Sequence, residues 1–186
     1  MRTRSTPRSR VYLFAGGVLL LAVVFGGYQY FTSGTFLHGL REQDAPAYVY
    51  MPDFSFPNEK GEQVVFTNIQ APVRVVHFWA SWSPYSREEL PALVTLERES
   101  EGVIKVVALN RDTNPADGRA FLRDIGLASE LTFAYDAQDT YFRTIGGYNM
   151  PETIFVGPNG EVLEHVRGPM SLENMRSVVE RIREER

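Results

Sequence analysis

The sequence predicts an α/β domain: a mixed sheet with helices on both faces, opened by a β-hairpin and preceded by one transmembrane helix. Three observations carry this reading. Apolar runs of strand length alternate with amphipathic helical stretches from residue 73 onward. Two pairs of short strands, around 54–66 and 153–167, are each joined by a polar, glycine-containing turn. The stretch from Val11 to Tyr30 carries no charge and is long enough to span a bilayer's hydrocarbon core as one helix.

The N-terminal segment divides into a basic tail (1–10), an anchor (11–31) and a tether (32–50) before the domain proper (51–186). Arg2, Arg4, Arg8 and Arg10 precede the apolar run and no acid occurs before Glu42, so the expected orientation is N-terminus cytoplasmic and domain extracytoplasmic. Tyr12 at one end and Tyr28, Tyr30 and Phe31 at the other suit the two interfaces. The alternative is a cleaved signal peptide. The run is long for one, and no clear Ala-x-Ala site follows it. The expected location is therefore the cell membrane, single-pass. Beyond the tail, 15 Lys and Arg face 23 Asp and Glu, a net of −8, which argues against nucleic-acid binding.

Within the domain, Phe54 and Phe56, the turn Asn58-Glu59-Lys60-Gly61 and Val64-Val65-Phe66 predict the first hairpin. Val73–Trp79 predicts a buried strand. Ser86–Ser100 predicts a helix with Leu90, Leu93, Val94 and Leu96 inward and a kink or local break at Pro91. Val103–Leu109 is a second strand, and Asn114-Pro115 an N-cap with proline at the first helical position. The helix that follows turns Phe121, Leu122 and Ile125 to one side. Leu131–Tyr135 predicts a short strand and Thr140–Ile145 a short helix ended by Gly146-Gly147. Thr153–Val156, a turn containing Asn159-Gly160, and Val162–Arg167 predict the second hairpin. The last helix starts at Ser171 and buries Leu172, Met175, Val178, Val179 and Ile182.

Four segments carry a family resemblance: Pro52-Asp53-Phe54, Val76-His77-Phe78-Trp79-Ala80-Ser81-Trp82, Ser86-Arg87-Glu88-Glu89-Leu90-Pro91, and Tyr148-Asn149-Met150-Pro151-Glu152-Thr153. Over residues 51–186 the chain resembles the membrane-anchored, thioredoxin-like proteins of the TlpA/ResA and cytochrome-c-maturation type. The resemblance implies a thioredoxin-like sheet, a cis bond at Met150-Pro151, and thiol–disulfide exchange at positions 83 and 86. It also implies that an extended partner segment pairs with the backbone beside Pro151 by strand addition. The chain departs from that family at the reactive positions. The redox Cys-x-x-Cys reads Ser83-Pro84-Tyr85-Ser86, and the sequence contains no cysteine. Thioredoxin's buried acid under this loop falls at His77.

Exchange proceeds by thiolate attack, so the chain as written has no catalytic residue for it. Read as structure, Ser83 is an N-cap with Pro84 at the first helical position, and Ser86 with Glu89 is a capping box. A serine nucleophile at Ser86 would need His77 as its base, plus an orienting group that nothing in the sequence identifies. Glu88 and Glu89 read as solvated first-turn acids, Asp112 and Asp117 as residues flanking a helix, and Trp79 as core. His38, His77 and His165 lack metal-ligand spacing, and no cofactor is implied.

The expected function is a non-catalytic binding or assembly domain. Its extracytoplasmic protein partner would dock at the Ser83–Ser86 loop and the Pro151 segment through Trp82, Pro84, Tyr85, Met150, Pro151 and Glu152. The alternative is a thiol–disulfide oxidoreductase of the same family carrying Cys-to-Ser changes at both positions.

Overall fold

The computed structural model describes residues 49–185. The predicted tail, anchor and most of the tether lie outside them. Among the described residues no helix is long and apolar enough to cross a membrane.

The first hairpin is β1 (Ser55–Pro57) and β2 (Gln63–Val65), followed by one 3-10 turn at Phe66–Asn68. Then come β3 (Val73–Trp79), α1 (Ser86–Glu99), β4 (Ile104–Asn110), α2 (Pro115–Asp124), β5 (Thr132–Tyr135), α3 (Tyr141–Thr144), β6 (Glu152–Val156), β7 (Val162–Arg167) and α4 (Leu172–Glu184). The element order matches the sequence reading throughout.

The five-stranded sheet has the order β5-β4-β3-β6-β7. β3 pairs parallel with β4 and antiparallel with β6, so the sheet is mixed. β3 lies at its centre, and all seven of its residues are buried. That is why it reads as a mostly apolar run, with Arg74 and His77 within it, rather than an alternating one.

Alternation along β3 sends its side chains into two cores. Val73, Val75 and Trp79 join Leu90, Leu93 and Leu96 of α1, Leu122 of α2, and Met175, Val178, Val179 and Ile182 of α4. Val76 and Phe78 face the other way, toward Phe54 and Phe66 of the hairpin region and Tyr141, Phe142 and Ile145 around α3. Phe54 stacks on Phe66 at 5.1 Å and meets Tyr141 edge-on at 4.9 Å, which fixes the hairpin against this face.

Two local expectations change. Pro91 does not break α1, which runs unbroken from Ser86 to Glu99. The proline lies in the second turn and is exposed, and Thr95 Oγ1 donates to its carbonyl at 3.0 Å. The Asn114 cap forms as expected, its side chain accepting from Ala116 N at 3.2 Å. Asp112, expected to flank this helix, is buried and belongs instead to the loop described next.

The chain enters at the end of the sheet opposite that loop. Val162 N donates to Val49 O at 2.9 Å and Met51 N to Gly160 O at 2.8 Å, at the start of β7. β3 runs away from this end, so residues 80–86 emerge at the far one.

Candidate functional site

The register of β3 on β6 pairs Phe78 with Glu152 and His77 with Thr153. Extending it past the strand ends brings the segment after Trp79 beside the segment before Glu152. The serine loop and the Met150-Pro151 segment therefore share one end of the sheet, and the Met150-Pro151 bond is cis.

The loop is held from within. Ser83 N donates to Ala80 O at 3.1 Å and Ser86 N to Ser83 O at 3.3 Å, two successive turns. Ser86 is fully buried and its Oγ donates to the same Ala80 carbonyl at 2.8 Å. Ser81 donates its N–H and its hydroxyl to the Asp112 carboxylate, at 3.0 Å in each case. Asp112 also accepts from Asn110 Nδ2 at 2.8 Å. Gly118 permits this network, because a Cβ there would stand 2.7 Å from Asn110 Nδ2.

Neither predicted cap forms. The N-cap residue is Tyr85, with helical dihedrals and no side-chain cap bond. The Ser86 hydroxyl turns inward to Ala80, and Glu89 is not solvated but 3% exposed. Its Oε1 accepts from Met170 N at 2.7 Å, bridging α1 to the segment before α4. Ser83 is buried to 4% exposure, and its Oγ has no hydrogen-bond partner among the described residues. The two serines are thus inequivalent: one is satisfied structure, the other an unsatisfied hydroxyl.

Beneath the loop His77 is fully buried, with Nδ1 2.9 Å from Thr153 Oγ1 and Nε2 4.0 Å from Glu89 Oε2. No bond joins His77 to Ser86, so the nucleophile–base arrangement is absent from this site. Burial pushes the His77 imidazolium down to about 3, so the ring is neutral. Burial raises Glu89 to about 7; the Met170 N–H works against this, and the nearby Glu88 adds to it.

The facing segment depends on Glu152, whose carboxylate is fully buried rather than offered at the surface. Oε1 accepts from Tyr148 N at 2.9 Å and Asn149 N at 2.7 Å, and Oε2 lies 2.7 Å from His165 Nε2. Burial alone would raise this carboxyl, but the bonds from His165, Asn149 and Tyr148 outweigh it and hold it below the usual range. His165, read from sequence as an unremarkable hairpin residue, is the partner that allows a buried acid here. The third N–H of the segment is also taken: Met150 N donates to Asn149 Oδ1 at 3.0 Å. Strand addition at Met150 therefore requires the exposed Asn149 amide to swing aside.

Among the described residues, the large apolar side chains left exposed are Val49 and Tyr50 at chain entry and Trp82, Tyr85 and Tyr148 at the loop end. Trp82 is 64% and Tyr148 73% exposed, whereas Trp79 is fully buried core. Pro84 is exposed and Met150 partly so.

A mixed central sheet, a turn leading into α1 and a cis-proline segment facing that turn define a thioredoxin-like protein. The AhpC/TSA family model matches residues 49–165. The chain is 31% identical over 134 residues to the thiol:disulfide interchange protein DsbE of Allochromatium vinosum, covering 70% of this chain and 69% of that protein. It is 25% identical to the sporulation thiol-disulfide oxidoreductase A of Bacillus subtilis, covering 69% and 72% of the two chains. A crystal structure from Chlorobium tepidum, assigned as a thiol:disulfide interchange protein DsbE, superposes with a TM-score of 0.65 at 27% identity, covering 72% of this chain and 94% of that one. The chain belongs to the AhpC/TSA family, and its thioredoxin-like relatives are named for thiol–disulfide chemistry.

Two predictions follow from the geometry. Ser86→Ala removes a satisfied buried hydrogen bond and is expected to cost about 1 kcal/mol in urea unfolding, whereas Ser83→Ala removes an orphan hydroxyl and should be neutral or stabilising. The reverse order would contradict the assignment of the two hydroxyls. The second concerns pH. Glu89 is raised from 4.5 to about 7, so its burial penalty is absent below 4.5 and grows as pH rises through that window. His77 is lowered from 6.5 to about 3, so its penalty is absent above 6.5 and grows as pH falls. The two slopes oppose each other between 4.5 and 6.5 and leave a plateau there. Glu89→Gln removes the alkaline loss, which is at most about 3 kcal/mol, so the variant should gain on the parent chain from pH 5 to 8. Parallel stability profiles for the two would contradict this.

Proposed function

We propose that this chain is a membrane-anchored, extracytoplasmic thioredoxin-like domain that binds a protein partner without exchanging disulfides. The observation that carries the reading is a family loop folded in place with oxygen at both reactive positions, ringed by exposed aromatics. A serine hydroxyl cannot attack a disulfide under conditions where a thiolate does. Trp82, Tyr85 and Tyr148 offer large, stiff apolar area of the kind that anchors protein contacts. Pro84 is exposed and Met150 partly so at the same end, whereas Pro151 is buried and, like Glu152, serves by shaping the segment.

The uncharged run at residues 11–31 with its arginine flank supports an anchor with the N-terminus in the cytoplasm. The partner segment would displace the Asn149 amide from Met150 N, a local exchange of one hydrogen bond for another. The alternative, an oxidoreductase whose cysteines at 83 and 86 have been replaced, draws on the retained Ser83–Ser86 turn and on the relatives' names.

Photo-cross-linking tests the docking reading. A benzophenone side chain placed at Trp82 or Tyr148 in the full chain, in its own cells, is expected to give the same discrete protein adduct from both positions. The same group at Glu101 or Lys105, at the opposite end, should give none. Adducts confined to Glu101 and Lys105, or equal at all four positions, would contradict it.

A further inference from the structure

The sequence holds no thiol, so its sulfur lies in methionines. Among the described residues Met51, Met170 and Met175 are buried at 7%, 6% and 0% exposure, whereas Met150 is partly open to solvent. Its surroundings are also unusual. Sδ lies 3.4 Å from Arg111 Nη1. The guanidinium is locked by two bonds to Asp139, at 2.6 and 2.7 Å, and sits 3.4 Å above the Phe142 ring centre. A fixed, charged donor thus points at a thioether, which is a weak acceptor. A sulfoxide oxygen at that place would be a strong one.

We infer that Met150 is an oxidative modification site, where a peroxide-class oxidant alters the docking end of the domain. In the step, a lone pair on Sδ forms the S–O bond as the O–O bond of hydrogen peroxide breaks. One oxygen stays as the sulfoxide and the other leaves as water. Sulfur gives up two electrons, and peroxide is reduced by two. No cysteine takes part. The product replaces a flexible apolar side chain next to Pro151 with a polar one whose oxygen Arg111 can bond, changing the contact offered to a partner. The oxidation itself is independent of the docking reading; its effect on a partner rests on that reading.

The test treats the full chain with hydrogen peroxide and follows each methionine by peptide mass mapping. Met150 is expected to gain one oxygen at least about tenfold faster than Met51, Met170 or Met175, as thioether exposure dictates. Equal rates, or Met175 reacting first, would overturn the assignment. In the same samples, cross-linking from Tyr148 should fall severalfold on oxidation of the parent chain, whereas in Met150→Leu the treated sample should keep the yield of that variant's own untreated sample. Loss in both would overturn the effect assigned to Met150. If Met150 oxidises first but untreated protein gives no adduct, the docking reading fails and the modification site stands.

Discussion

The antiparallel pairing of β3 with β6 is the constraint on which the rest of the site depends. It places His77 opposite Thr153 and Phe78 opposite Glu152. One register then fixes three things: which end of the sheet carries both the serine loop and the cis-proline segment, which side chain lies under the loop, and which carboxylate shapes the facing turn. A one-residue slip would send His77 and Trp79 to the opposite core and Phe78 into theirs. Both cores are packed with side chains that exclude such a change, from Leu90 and Met175 on one face to Phe54 and Phe142 on the other.

Upon that frame the polar groups divide into those that hold shape and those left unsatisfied. Asp112 gathers Ser81, Glu152 gathers Tyr148 and Asn149, and Ser86 closes on Ala80. Among the described residues, Ser83 Oγ, His77 Nε2 and Glu89 Oε2, at or beneath the loop, make no hydrogen bond, and neither do Arg74 Nε, Trp79 Nε1 and Tyr135 Oη elsewhere in the domain. Unsatisfied buried polar atoms are costly, so each one calls for an explanation. The orphan Ser83 hydroxyl fits a loop that keeps the form of an exchange site while lacking its sulfur.

Much of this was legible in the sequence because it is local. Asn159-Gly160 specifies a hairpin turn, Asn114-Pro115 a helix start, and a mostly apolar run a central strand, each within a few residues of chain. That the two proline-bearing segments meet was implied by the family resemblance, not by local pattern. What the sequence did not show depends on partners far along the chain. Glu89 read as a solvated first-turn acid because nothing nearby reveals that Met170 N–H, 81 residues on, would donate to it in the interior. His165 and Asp112 were misjudged for the same reason: their roles are set by Glu152 and Ser81 across strand and loop boundaries. The capping error at Ser83 and Ser86 has a different origin. Local propensity favours a cap at that place, but the Ala80 carbonyl competes for the same hydroxyl from inside the fold.

The central claim is that the missing sulfur is what keeps this loop from acting as an exchange site, even with His77 beneath it, and restoring it tests that directly. Ser83 and Ser86 stand at the ends of one hydrogen-bonded turn, whose Cα atoms such turns hold within about 7 Å, inside the range a disulfide spans. The double variant Ser83→Cys with Ser86→Cys should form an intramolecular disulfide on mild oxidation and reduce insulin when recharged with dithiothreitol, while the parent chain shows no rate above buffer. Turnover by the parent chain, or a double variant that folds yet neither closes its disulfide nor turns over, would contradict the account.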